Sequence, residues 1–416
     1  MQVMKWSVIA LAVAAGTTQM AVASSQSESK GFVEDSSFNI FNRALYHNRD
    51  YKNIDDSRTS EEFGLGIRLL LESGFTQGTV GVGVDAHSLS SIKLDTGRGR
   101  VGIGQFSVDS DGRAEDTQSE VGGAIKFRVS DTVLKHGNQF VASPVFSTDD
   151  SRILPEVATG TLLTSNEIEG LELTAGRFTA LSGQRPTSRD SQGLTSADII
   201  GASYSFTDNF SGAIHASDVE DNFKKQYVNL NYNLSLAEDQ SLNFDFNAYR
   251  TTDTGNNPAE IDNKIWSLAA AYTLGAHTLT LAHQRSSGDT AYAYGVDGLG
   301  TIWLANSVQI SDYDRKDERS WQARYDLDMT TYGVPGLSFM TRYVYGDNID
   351  TGLGEEGKEH EFNFETKYVI QEGAAKDLSF RIRNAIYRAN SAQNASYDTP
   401  DMNDFRLIVE YPLEVL

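Results

Sequence analysis

The stretch 226–250, QYVNLNYNLSLAEDQSLNFDFNAYR, decides the fold. Val228, Leu230, Tyr232, Leu234 and Leu236 alternate with Asn229, Asn231, Asn233 and Ser235. Past the short link 237–240, Leu242, Phe244 and Phe246 alternate with Asn243, Asp245 and Asn247. A period of two puts each set of side chains on its own face of a strand. The stretch therefore predicts an antiparallel hairpin with one apolar and one polar face.

The same pattern recurs along the chain. Trp266, Leu268, Ala270 and Tyr272 keep to one face, and Trp321, Ala323, Tyr325 and Leu327 oppose Gln322, Arg324, Asp326 and Asp328. Phe362, Phe364 and Tyr368 oppose Glu361, Asn363, Glu365 and Lys367, and Phe380 and Ile382 oppose Arg381 and Arg383. The connections sort into two kinds. Short links fall at 73–78, 166–170, 207–209, 237–240, 275–276, 333–336 and 371–376. Long polar links fall at 48–60, 89–118, 138–160, 181–196, 217–226, 251–263, 286–319, 346–359 and 389–403. Turns at one end and long loops at the other mark an all-β, transmembrane antiparallel β-barrel, whereas a soluble sandwich has no reason to sort its loops. The breaks predict about eighteen strands, an even number as single-chain bacterial barrels have. A barrel of that size is too wide for its wall side chains to fill. Its polar inner face then implies a water-filled pore, narrowed by loops that fold inward. The links 138–160 and 286–319 are the candidates, because Val141, Val145, Phe146, Ile302, Trp303 and Leu304 give them apolar content that a solvated loop does not need.

The N-terminus fits export. Lys5 precedes an apolar run from Val8 to Ala15, and Ala21-Val22-Ala23 ends it. That is a secretory signal peptide, residues 1–23, too short to span a bilayer and removed to leave one barrel domain, 24–416. The chain holds no Cys, which excludes disulfides, thiol catalysis and thiolate metal sites. The net charge of −22 comes from 57 acidic against 35 basic residues. A mean hydropathy of −0.38 does not argue against membrane insertion, because only alternate strand residues of a barrel meet lipid.

Motifs with chemical associations have plainer readings here. Gly78-Thr-Val-Gly81-Val-Gly83 is followed by no helical pattern, so small residues on a curved wall explain it better than a dinucleotide loop. Asp109-Ser-Asp111-Gly112 begins like a calcium loop, but the segment 109–116 lacks the closing bidentate Glu and reads as an external loop. The seven His show no metal-ligand spacing, and no G-x-S-x-G elbow appears. No enzyme, cofactor or metal is implied. The basic residues carry more. Arg324, Arg342, Lys367, Arg381, Arg383 and Arg406 all fall in C-terminal strands. A lipid-facing Arg costs about 2–4 kcal/mol at mid-bilayer, so the lumen is their place. There they either balance lumen acids such as Asp326 and Glu365, or guide carboxylates, which guanidinium grips bidentately.

Long strings of this chain resemble the OprD (porin D) family of outer-membrane, substrate-specific porins. They include GFVEDSS, NRDY, ESGFTQGTVGVGVDA, SRILPEVATG, DQSLNFDFNAYRT, LANSVQISDY, YGVPGLSFMTRY, AKDLSFRIRNA and FRLIVEYPL. The resemblance runs almost end to end. It implies an eighteen-stranded monomeric barrel in a Gram-negative outer membrane, in contact with lipid and lipopolysaccharide, with inward loops forming an eyelet. It also implies passive diffusion of small carboxylate-bearing solutes, and the similar subgroup is associated with basic amino acids, related peptides and carbapenem-like compounds. The family's basic ladder matches Arg49, Arg58, Arg152, Lys367, Arg381, Arg383 and Arg406, the text around Arg58 having drifted. Its eyelet acid matches Asp312, and a tyrosine near it matches Tyr294. A serine-protease triad sometimes attached to the family matches Arg177, Asp221 and Thr301, where arginine cannot serve as the imidazole base. The link 181–196 is shorter than in the family and lacks its tyrosine, 346–359 is shortened and 286–300 is rewritten. These departures bear on substrate choice, leaving aromatic or cyclic carboxylates or unselective passage as alternatives, with an outer-membrane serine hydrolase as the least favoured one. Nucleic acid is not an expected partner.

Overall fold

The computed structural model describes residues 25–53, 59–95, 100–185, 190, 193–255, 260–298, 300, 302–397 and 400–416. The strands are β1 (Ser37–Lys52), β2 (Thr59–Glu72), β3 (Gly81–Lys93), β4 (Thr117–Val129), β5 (Thr132–Gln139) and β6 (Val157–Ile168). Then come β7 (Leu171–Ser182), β8 (Ala197–Thr207), β9 (Phe210–Val219), β10 (Phe223–Ala237), β11 (Gln240–Asp253) and β12 (Asp262–Leu274). The last are β13 (His277–Gly288), β14 (Arg319–Asp328), β15 (Leu337–Asp350), β16 (Glu356–Val369), β17 (Ser379–Ala389) and β18 (Asp401–Glu414). Each pairs antiparallel with its sequence neighbours, and β1 pairs with both β2 and β18. The 18-stranded sheet thus closes on itself and leaves no edge.

The opening hairpin is β10–β11, with Val228 opposite Ala248 and Tyr232 opposite Phe244. Val228, Leu230, Tyr232 and Phe244 are exposed, as a lipid-facing surface must be when no lipid is present. Their alternates Tyr227, Asn231 and Asn247 are buried inside. Among the two-residue turns, 275–276 joins β12 to β13 and 169–170 joins β6 to β7, and Gly275 and Gly170 supply the positive φ (55° and 75°) such turns need. The first and last described residues lie at this short-turn end, where the Gly74 amide donates to Phe32 O and the Val415 amide to Phe38 O.

One expected loop is not a loop. The link predicted at 217–226 shrinks to 220–222, a tight turn with Asp221 at φ 59° between β9 and β10. The predicted links 48–60 and 346–359 shorten too, because β1, β15 and β16 run well into them. Here the strands continue with polar residues outward, as where Lys224 Nζ pairs with Asp218 Oδ2 at 3.0 Å. Backbone pairing persists there although the hydropathic alternation has stopped.

The core lies inside the barrel. Segment 140–156 and segment 289–318 fold inward as expected. Val141, Val145, Tyr292, Ile302 and Leu304 pack on Phe178, Ile199, Tyr227, Tyr249 and Ile265 of the wall. A third segment, 100–116, also enters, with Phe106 packed beside Leu45, Leu89, Ile153 and Leu154.

Candidate functional site

The ladder is built by strand register. On β16, β17, β18 and β1, one inward row runs Glu365, Arg383, Arg406, His47. The row above it runs from β14 and β15 through Arg324, Arg342, Asn363, Ala385, Asp404 and Arg49. Below, Lys367 faces Arg381. A closed antiparallel sheet puts side chains from neighbouring strands side by side, so residues distant in sequence form a continuous cationic wall.

Two carboxylates organise that wall. Glu365 Oε2 accepts from Arg381 Nη2 at 2.8 Å and lies 3.2 Å from Arg383 Nε. Asp404 is buried and accepts from Arg49 Nε at 2.9 Å, Arg406 Nε at 2.8 Å and Gln309 Nε2 at 2.7 Å, with His47 Nε2 at 2.6 Å. Guanidiniums outnumber carboxylates in each group, so donors are left over for a solute. Lys367 forms no ion pair among the described residues.

Arg152 joins the wall on segment 140–156, where its carbonyl accepts from Arg43 Nη1 of β1 at 2.7 Å. Asp150 anchors it, bound by Arg43 Nη1 at 2.8 Å and by Arg68 at 2.9 and 2.5 Å, both arginines buried. Burial raises the Asp150 carboxyl, but Arg68 and Arg43 outweigh it and hold the group below its ordinary value. The backbone passes so close to the wall that a Cβ on Gly66 would lie 2.3 Å from Ile153 O. Burial, then the guanidiniums of Arg406 and Arg49, push Arg152 down to about 10, which still leaves it cationic at neutral pH. Its Nη1 donates to Ser151 Oγ at 3.1 Å.

Asp312 occupies the facing loop. Its oxygens accept from Tyr294 Oη and Ser307 Oγ, both at 2.5 Å. Gln284 Nε2 fixes its backbone by donating to Asp312 O at 2.7 Å. Burial, then the Asp314 carboxylate, push Asp312 up to about 6. Burial, then Asp312 itself, hold the Tyr294 hydroxyl well above its ordinary value, so it stays a donor. The same loop reaches the cationic wall: Arg406 Nη2 donates to Gln309 O at 3.2 Å, and the Ile310 and Ser311 amides donate to Glu361. The loop that carries the acid is therefore in direct contact with the arginine wall.

A cavity of about 520 Å³ opens among the loops, lined by Glu62, Arg152, Glu156, Gln184, Arg185 and Asp297. Its acids bind loop backbone. Glu62 accepts the amides of Ile103, Gly104 and Gln105, and Asp297 those of Gly193 and Leu194. Glu62, Asp150, Arg185 and Asp404 were not singled out by sequence reasoning. The inward glycines Gly64 and Gly66 of β2 are the one signal that pointed there, since glycine inside a strand marks a close backbone approach.

Other expected positions part company. Arg58 and Thr301 lie outside the described residues. Arg177 is exposed on the outer face of β7, 3.4 Å from Asp198, and Asp221 sits in its turn. Asp109 Oδ1 accepts the amides of Asp111 and Arg113 in a small hairpin turn.

Comparison with known proteins agrees with this architecture. A family model described as outer membrane porin, OprD family, matches residues 30–415. Porin D of Pseudomonas aeruginosa is 49% identical over 451 residues, covering 100% of both chains. The crystal structure of Acinetobacter baumannii OccAB1 superposes with a TM-score of 0.89 at 34% identity, covering 94% of this chain and 99% of that one. The structure of Pseudomonas aeruginosa OpdK with vanillate gives 0.84 at 33% identity, covering 92% and 100%.

Proposed function

Because this chain belongs to the OprD family of outer-membrane porins, we propose that it passes small carboxylate-bearing solutes selectively, basic amino acids and related peptides or carbapenem-like compounds first. The family puts the barrel in the outer membrane of a Gram-negative bacterium. We take residues 1–23 to be removed on export and the barrel to act as a monomeric channel.

The observation that carries this reading is the contact between the acid's loop and the arginine wall. Arg406 donates to Gln309 O on the same loop that bears Asp312 three residues further on, and Gln309 in turn donates to Asp404. A carboxylate can exchange along Arg381, Arg383, Arg406, Arg49 and Arg152, gripped in turn by spare guanidinium donors. Lys367 extends the row on one side. Asp312 attracts a cationic end, so opposed charges orient a basic amino acid lengthwise. Several weak sites in series let it leave as readily as it enters.

Liposome swelling tests the reading. Arg381→Ala with Arg383→Ala leaves Glu365 unpaired, so Glu365→Gln is added to restore charge balance. Carboxylate uptake is expected to stay down by about tenfold in the triple variant, the size of one charge-assisted hydrogen bond, with neutral sugars unchanged. Recovery of uptake in the triple variant would reduce the arginines to charge balance and the protein to a general porin. A second reading, aromatic carboxylates, is favoured by the rings of Tyr292 and Tyr294 at the constriction and by the OpdK relative with vanillate. A competition panel of arginine against benzoate separates the two.

A further inference from the structure

We propose that Lys225 is a positioning residue for the constriction, holding Tyr294 so that its hydroxyl stays on Asp312. This rests on the reading of Asp312 as the eyelet acid.

Lys225 projects inward from β10, fully buried. It makes no ion pair among the described residues, an arrangement that costs free energy unless other groups compensate. The compensating groups all come from one arm of the inward loop or from the ring beside it. Its Nζ donates to Tyr294 O at 2.7 Å and to Tyr292 Oη at 3.0 Å. It lies 4.3 Å from the centre of the Tyr292 ring and 5.1 Å from that of Phe223. Tyr294 is thus held at both ends, its carbonyl by Lys225 and its hydroxyl by Asp312 at 2.5 Å. The Tyr292 amide donates to Asp314 O at 3.2 Å, which ties this arm to the returning arm of the same loop, where Asp312 and Asp314 lie. An apolar side chain could fill the same space, but it could not bind the Tyr294 carbonyl.

The sign of the effect separates positioning from simple charge. If Lys225 acted only as a cation in the lumen, removing it would make the pore more cation-selective. If it positions Tyr294 and Asp312, removing it loosens the acid and makes the pore less cation-selective, as Asp312→Asn does directly. Single-channel recordings in planar bilayers under a KCl gradient read this from the reversal potential. Only inserted, folded channels contribute, so lost folding lowers insertion frequency without moving the potential. Lys225→Met is expected to shift the potential in the same direction as Asp312→Asn by about half as much or more, and to add little in the Asp312→Asn background, because the two act through one contact. Lys225→Arg, which keeps a donor for both oxygens, is expected to stay close to the wild-type potential. An unshifted, opposite or fully additive Lys225→Met overturns the inference alone. An unshifted Asp312→Asn overturns the eyelet reading and this inference with it.

Discussion

The two inner walls of this barrel are furnished differently. From β14 through β18 to β1, the lumen face carries Arg324, Arg342, Arg381, Arg383, Arg406 and Arg49, with Glu365 and Asp404 between them. From β7 to β12 it carries Phe178, Ile199, Tyr227, Tyr249 and Ile265, and the loops rest on these. The first wall presents charge, and the proposed function requires that its donors not all be spent on loops. The second offers area, and apolar burial is indifferent to direction, so it can clamp loops while leaving their polar groups to the pore. The barrel thus separates the electrostatic task from the mechanical one.

Asp150 is the place where that separation should break most visibly. It anchors segment 140–156 by charge, on Arg43 and Arg68. Removing one partner of a buried ion group costs about 3–5 kcal/mol. Asp150→Ala is expected to release the segment, raise single-channel conductance and lower carboxylate uptake, since Arg152 moves with it. Conductance at the wild-type value would mean that apolar packing alone holds both loops. Asp150→Asn, which keeps one acceptor oxygen but turns an NH2 toward the guanidiniums, should fall between.

Period-two alternation made the wall legible and placed Arg381 and Arg383 in the lumen without any relative. It could not pair them with Glu365, because register between strands depends on where each turn begins. The inward segments 138–160 and 286–319 were legible from apolar residues out of place in a loop. Segment 100–116 was not, because Ile103 and Phe106 are its few apolar anchors and Glu62 does the rest through backbone amides. Alternation also fell silent where strands rise past the lipid, which is why 217–226 read as a loop. The ladder roles of Arg49, Arg152 and Asp312 came from resemblance, since no local pattern brings β1, two loops and β18 together.

A smaller effect, set by pH, sharpens the comparison on the loop side. The Asp312 carboxyl ordinarily titrates near 3.8, and burial with Asp314 lifts it to about 6. A raised carboxyl is ionised above that value and neutral below it, so at pH 5 about a tenth of the channels keep the charge. Preference for arginine over a neutral analogue should therefore fall as pH drops from 7.5 to 5, while benzoate uptake through the arginine wall changes little. In Asp312→Asn the pH step should vanish. A step that survives the substitution would place the titrating group elsewhere.

The smallest expected effect is Tyr249→Phe, and it tests the apolar wall most directly. Tyr249 packs 4.7 Å from Tyr227 and 5.3 Å from Tyr292, centre to centre, in a row of rings that leads to Tyr294. Its hydroxyl also accepts the Trp303 amide at 3.0 Å. Losing the hydroxyl leaves the part-buried Trp303 amide without its acceptor and removes the hydrogen bond to Tyr292, a cost of about 1–3 kcal/mol if no water replaces them. The ring contacts remain. If burial holds the loop, Tyr249→Phe keeps the wild-type conductance and reversal potential and lowers the temperature of heat-induced unfolding slightly, whereas Tyr249→Ala disturbs all three. If Tyr249→Phe alone opens the constriction, this wall too works through a specific polar contact, and the division between the two walls is one of charge only, not of mechanism.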